Sequence, residues 1–155
     1  MEHQQSRRQQ TRHAFPTLIA NTGRQWRRAV DVRLQPYGLT EATWLPLLHL
    51  ARAPRPMRQK ELAASLSLDS SSVVRLLDNL QAARLIERRE EPGDRRAKTI
   101  HLTALGRATV ERVEVVSQEI RRAVLSGLSD DEIAAATETL QHICGVLADA
   151  IGSRA

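Results

Sequence analysis

Asp69-Ser70-Ser71-Ser72-Val73-Val74-Arg75-Leu76-Leu77-Asp78-Asn79-Leu80 reads as an amphipathic helix that carries its own start signal. Asp69 is the expected N-cap, because a short carboxylate accepts from the unbonded N–H groups of a first helical turn. Val73, Val74, Leu76, Leu77 and Leu80 are its apolar positions, and it is expected to run to about Ala83. Just upstream, Arg58 to Leu66 reads as a shorter helix that buries Leu62, Ala63 and Leu66, with Ser67-Leu68 as the turn. A short helix, a tight turn and a second amphipathic helix form a helix-turn-helix pattern. Downstream, Leu85 to Arg89 is a strand and Ala97 to Leu102 its return, with Lys98 and Ile100 on one side and Thr99 and His101 on the other. Glu90-Glu91-Pro92-Gly93-Asp94 is the turn between them, since Pro and Gly break regular structure. The hairpin has the size of a wing, so residues 57–102 are expected to form a winged helix-turn-helix lobe.

The flanks read as helices. Residues 1–14, rich in Gln, Arg and His, are expected to be a mobile basic arm. Phe15 to Leu34 is a first helix with Pro16 at its start and Pro36 beyond its end. A second begins after Thr40, its expected N-cap, and contains Pro46, where a kink is expected. Residues 15–56 thus form a segment of N-terminal helices. Residues 103–155 supply two more: Ala104 to about Ser126 after Thr103, and a last one opened by Ser129 and Glu132 in a capping-box pattern. Val113, Val116, Ile120, Val124, Leu140, Ile143, Leu147 and Ile151 recur at helical spacing.

Composition agrees with this class. The chain has 155 residues, enough for a sizeable core, and aromatics are only 3%, so Leu, Val, Ile and Ala must build it. The net charge is +5, almost all of its cations being arginine. Residues 1–54 carry net +5 and residues 55–102 net +3, whereas residues 103–155 carry net −3. A basic front and an acidic rear suit an anionic partner at the first and a different partner at the second. The single cysteine, Cys144, excludes an internal disulfide and fits a reducing cytoplasm. No apolar run reaches membrane-spanning length and no signal peptide is evident, so a cytoplasmic location and no membrane partner are expected. The five histidines are scattered without metal spacing, and neither a phosphate loop nor a nucleophile motif occurs. No enzyme, metal or cofactor is expected.

The lobe has a candidate DNA surface. Ser70, Ser71, Ser72 and Arg75 lie at the end of the second short helix that normally enters the major groove. Hydroxyls can reach phosphates or base edges, and an arginine can pair with guanine through two bonds. At the wing, Asp94, Arg95, Arg96 and Lys98 cluster, with Asp94, Arg96 and Lys98 on one face. There Asp94 can hold an arginine in one rotamer for a narrow minor groove. Each of these also reads as ordinary solvated surface when taken alone.

The sequence resembles the MarR family of bacterial transcription regulators, and most of all its SlyA branch, over roughly Arg24 to Ile151. The residues that carry the resemblance are the wing Asp94-Arg95-Arg96-Ala97-Lys98 with Ile100-His101-Leu102-Thr103, and Ser72 to Leu80. Arg24-Gln25-Trp26-Arg27, Asp31 to Pro36, and Leu39-Thr40 with Trp44 add to it. The resemblance implies a homodimer interlocked through the N- and C-terminal helices and seated on double-stranded DNA at an inverted-repeat operator. It places Ser72 and Arg75 in the major groove and Arg96 in the minor groove. It also implies a pocket for a small aromatic acid effector that releases a repressor, with Arg24 as carboxylate partner, Trp44 as aromatic wall and His49 nearby. Trp26 and Trp44 equally fit a plain core, Arg24 a surface salt bridge, and His49 a satisfied histidine. Two departures from the family pattern stand out. Arg84 occupies the place of a glycine after the recognition helix, where a left-handed turn is needed, and Pro46 interrupts the pocket-lining helix. Alternatives are a non-specific or architectural DNA-binding protein, and a redox-responsive regulator of the same fold using Cys144.

Overall fold

Helix α1 begins well before its expected start. The computed structural model describes residues 2–91 and 93–152, and the side chains of 6–90, 93 and 98–152 among them. In it α1 spans Glu2–Leu34, with Pro16 inside rather than at the N-terminus. The expected helix start at Phe15 is corrected to Glu2, because Gln, Arg, Glu and Ala favour a helix. Pro16 removes only the bond to the Arg12 carbonyl, which the flanking helix tolerates. A 3-10 turn, Gln35–Tyr37, ends on Gly38 at φ +70°.

Helix α2, Glu41–Arg52, runs unbroken through Pro46, whose side chain is fully buried. Thr40 is the N-cap residue, but its hydroxyl makes no cap bond; its carbonyl accepts from Thr43 and Trp44 N–H. The winged lobe follows: β1 (Met57–Arg58), α3 (Gln59–Leu66), α4 (Ser70–Ala82), β2 (Ile86–Glu91) and β3 (Asp94–Leu102). The sheet has three strands in the order β1-β3-β2, all antiparallel, with Met57 opposite Ile100 and Ile86 opposite Leu102. Strand β1 was not foreseen, and the hairpin arms are longer than expected, reaching Glu91 and Asp94. Alternation along β3 holds: Ile100 is buried, while Thr99 and His101 share the other face and bond each other at 2.9 Å.

The lobe's core is Leu47, Leu62, Val73, Leu77, Leu80, Leu85, Ile86 and Ile100. All but Leu85, which lies in the turn between α4 and β2, come from the inward faces of their elements, so α2, α3, α4 and the sheet base close on one another. Both helices of the helix-turn-helix end in Schellman turns. Leu68 N–H reaches the Ala63 carbonyl and Leu85 N–H reaches the Leu80 carbonyl. The left-handed residue is Ser67 (φ +54°) in one and Arg84 (φ +58°) in the other, neither of them glycine. The expectation that Arg84 is forced into a left-handed turn holds.

Helix α5 spans Ala104–Leu125 and α6 Asp130–Gly152. Thr103 caps α5: its Oγ1 accepts from Gly106 N–H at 3.0 Å and lies 2.7 Å from the Arg84 carbonyl. Thr103 N–H donates to the Leu85 carbonyl at 3.1 Å. Arg52 and Glu114 form a bidentate pair, and the Arg112 guanidinium stacks on Tyr37 at 4.4 Å. The capping box at Ser129 and Glu132 forms as expected. The chain divides into two compact units, one up to Ser117 and one from Gln118 on. Helix α6 buries none of its described residues, and Leu140, Val146, Leu147 and Ile151 stay exposed.

Two substitutions test this fold. Arg84→Gly relieves the left-handed strain and is expected to raise unfolding free energy by about 1 kcal/mol in urea at fixed protein concentration. Gly106→Ala places a Cβ 2.0 Å from the Leu85 carbonyl oxygen and is expected to lower it by about 2 kcal/mol.

Candidate nucleic-acid interface

The N-terminus of α4 is built around Asp69. Its Oδ1 accepts from Ser71 N–H and Ser72 N–H, each at 2.9 Å. The Ser71 hydroxyl donates to Oδ1 at 2.5 Å and the Ser72 hydroxyl to Oδ2 at 2.7 Å. These bonds to the charged form, led by the two hydroxyls, hold the Asp69 carboxyl well below the usual carboxylate range. A serine hydroxyl has one proton. With both protons given to Asp69, Ser71 and Ser72 present lone pairs outward. In that state they suit a donor such as the adenine or cytosine amino group, and a phosphate contact requires the hydroxyl to leave Asp69 first. The expected double role of these serines is thus narrowed by their hydroxyl bonds to Asp69, which go beyond the expected backbone cap.

Ser70, Ser71 and Arg75 are exposed and Ser72 is half-buried. Val73, Leu77 and Leu80 face the core, which leaves Ser71, Arg75 and Asp78 on the outward side of α4. Lys98 is exposed and opposite Glu90. Asp94, Arg95 and Arg96 lie on β3, and their side chains are outside the described residues.

The three expected effector residues lie in different surroundings. Arg24 is exposed, hydrogen-bonds Asn21, and lines a cleft of about 340 Å³ with Arg27, Arg28, Asp31 and Glu41. Arg27 pairs with Glu41 at 3.0 Å. Trp44 is buried behind that cleft, and its Nε1 donates to Asp31 Oδ1 at 3.2 Å. His49 faces α3 instead, with Nδ1 3.1 Å from Ser65 Oγ. The Ser65 proton goes to the Leu62 carbonyl, so His49 bonds as the Nδ1–H donor. Burial, then the nearby Arg52 charge, lower its pKa and favour the neutral ring. Pro46 lines a different groove, an apolar one of about 330 Å³ with Leu45, Leu66, Leu68 and Leu76. Among the described residues no group of His, Cys, Asp or Glu is placed to hold a metal ion, and no helix is long and apolar enough to cross a membrane.

The cap gives a pH prediction. A depressed carboxylate stabilises the fold above its unfolded pKa, and that stabilisation is lost as pH falls toward the folded value. Asp69→Asn keeps a capping oxygen without the charge. The stability advantage of the wild type over Asp69→Asn is expected to be constant above about pH 5 and to shrink below pH 3.8, the ordinary value for this group. Chemical unfolding across that range measures it.

Comparison with known proteins places this lobe. The sequence profile of the MarR family matches residues 37–97, which hold α2 and most of the winged lobe. The crystal structure of the transcriptional regulator PA3341 is 38% identical and superposes with a TM-score of 0.82, covering 87% of this chain and 98% of that one. CouR from Rhodococcus jostii RHA1, solved bound to p-coumaroyl-CoA, is 28% identical at a TM-score of 0.73, covering 83% of this chain and 90% of its own. MepR from S. aureus, solved in complex with DNA, is 26% identical at 0.73, covering 84% and 96%. The chain belongs to the MarR family of winged helix-turn-helix DNA-binding transcriptional regulators, which are not enzymes.

Proposed function

We propose that this regulator is a cytoplasmic repressor that binds an inverted-repeat operator as a homodimer and is released by a small aromatic carboxylate. The observation that carries the DNA reading is the end of α4: an exposed Arg75 one turn beyond a serine-lined helix N-terminus. Ser70, Ser71, Ser72 and Arg75 read the major groove, with Arg75 paired to a guanine. Asp94, Arg95, Arg96 and Lys98 serve the wing, with Arg96 in the minor groove. The MepR complex with DNA supports this mode by likeness.

The homodimer rests on α6. Its exposed Leu140, Val146, Leu147 and Ile151, and the exposed Phe15, Leu18 and Ile19 of α1, are apolar surface that water disfavours and a second copy would cover. Two lobes related by a two-fold axis then match an operator with the same symmetry. Among MarR proteins the SlyA branch is the proposed home, on the strength of Arg24-Gln25-Trp26-Arg27 and Leu39-Thr40 with Trp44.

The effector reading rests on the Arg24 cleft. Three arginines face two acids there, and Glu41 is already paired with Arg27 and Asp31 with Trp44. The surplus of positive charge suits a carboxylate. Trp44 acts from behind through Asp31, and His49 through the packing of α2 on α3. CouR, with its bound aromatic acyl thioester, supports an aromatic effector by likeness.

Two experiments test these roles. Arg75→Ala is expected to lose about 1–3 kcal/mol of discrimination at one base position per half-site, while Arg96→Ala weakens all sequences alike. Operator affinities equal to wild type in both variants contradict the docking. A thermal-shift panel of benzoate-like and nitrogen-ring acids is expected to show at least one that stabilises the protein and weakens DNA binding, and Arg24→Ala should abolish both effects. A panel without any such acid contradicts the effector reading.

A further inference from the structure

The core-facing side of β2 changes from apolar to charged as the strand leaves the lobe. Ile86 is buried opposite Leu102, and two residues on, on the same side, Arg88 lies opposite Ile100. A cation at an inward strand position needs a compensating partner. It finds one on α4: Arg88 Nη2 donates to Asp78 Oδ1 at 2.5 Å. The Arg88 side chain is 23% exposed and that of Asp78 62%. Arg88 Nε is buried and meets no acceptor among the described residues, so the guanidinium is held from one end. The neighbouring pair, Arg89 with Glu87, sits on the other face of the strand, with the Arg89 side chain 59% exposed. Asp78 follows Arg75 by three residues and so shares its side of α4. The pair therefore joins the base-reading helix to the strand that carries the wing.

We propose that Asp78 and Arg88 are positioning residues for DNA recognition. Their ion pair sets the wing against α4 so that Arg75 and Arg96 engage one duplex together. The proposal rests on the docking described above. Charge alone predicts the opposite behaviour. Asp78 is an acid on a DNA-facing helix, and neutralising it should relieve repulsion from phosphate and tighten binding. A positioning role predicts weaker binding, because Arg88 loses its partner and the wing loses its fixed angle.

The test uses the full-length protein and the duplex that the wild type selects from a randomised library. Gel shifts give affinity, hydroxyl-radical cleavage reports the minor groove, and methylation of guanine reports the major groove. Asp78→Asn is expected to bind about tenfold more weakly, to lose minor-groove protection under the wing and to keep guanine protection under α4. Asp78→Glu, which keeps the charge, should restore most of both. Arg88→Lys keeps the charge but not the planar fork, and is expected to show the same selective loss to a smaller degree, even where Asp78→Asn melts early. Equal or tighter binding by Asp78→Asn overturns the proposal. So does minor-groove protection unchanged in both Asp78→Asn and Arg88→Lys, or loss of both protections together in variants that melt at the wild-type temperature. A wild-type footprint without minor-groove protection overturns the docking itself, and the positioning role with it.

Discussion

The close approach of Gly106 to the Leu85 carbonyl governs how this molecule is assembled. A side chain at 106 would begin 2.0 Å from that oxygen, so only a glycine lets the first turn of α5 meet the start of β2. Thr103 closes the joint from the other side, bonding the Leu85 carbonyl through its N–H and lying against the Arg84 carbonyl with its hydroxyl. Those two carbonyls belong to the Schellman turn that ends α4. One backbone knot thus fixes the end of the recognition helix, the base of the wing and the start of α5. Arg84 is held left-handed at its centre, where the local preference opposes the fold and the surrounding bonds overrule it.

From that knot the exposed features of α4 follow. The core residues of α4 dictate which side of the helix faces outward, and the outward side carries Ser71, Arg75 and Asp78. Asp69 organises one end of the helix by accepting from two N–H groups and two hydroxyls, and Asp78 ties the other end to β2 through Arg88. Neither carboxylate is without partners: Asp69 keeps its charge but is held by four neutral donors of Ser71 and Ser72, and Asp78 is paired with the Arg88 cation.

Much of this was legible in the sequence. The serine run behind Asp69, the apolar positions of α4 and the Pro92-Gly93 turn are local signals, and the helix-turn-helix and hairpin are where they point. The capping box at Ser129 and the left-handed turn at Arg84 were readable for the same reason. What escaped is non-local or depends on side-chain direction. Strand β1 is two residues long and exists only because Met57 and Arg58 pair with Ile100 and Thr99 far along the chain. The early start of α1 is hidden by Pro16, which normally marks a helix N-terminus. Pro46 lies inside α2, its ring is buried and the helix continues past it to Arg52, since packing outweighs one absent backbone bond. Arg24, Trp44 and His49 are close in sequence terms but point from α1 and α2 into different surroundings. The pairing of Arg88 with Asp78 on α4 depends on side-chain direction across two elements, which local sequence does not display.

The central claim is that the protein reads one symmetric DNA sequence with two copies of this lobe. Competition binding measures it most directly: the selected inverted-repeat duplex against random duplex of equal length at the same near-physiological salt, with the mass of the complex determined in parallel. Two chains per duplex and a preference of at least about a thousandfold for the selected sequence are predicted. Equal competition by random duplex, or one chain per duplex, contradicts the account.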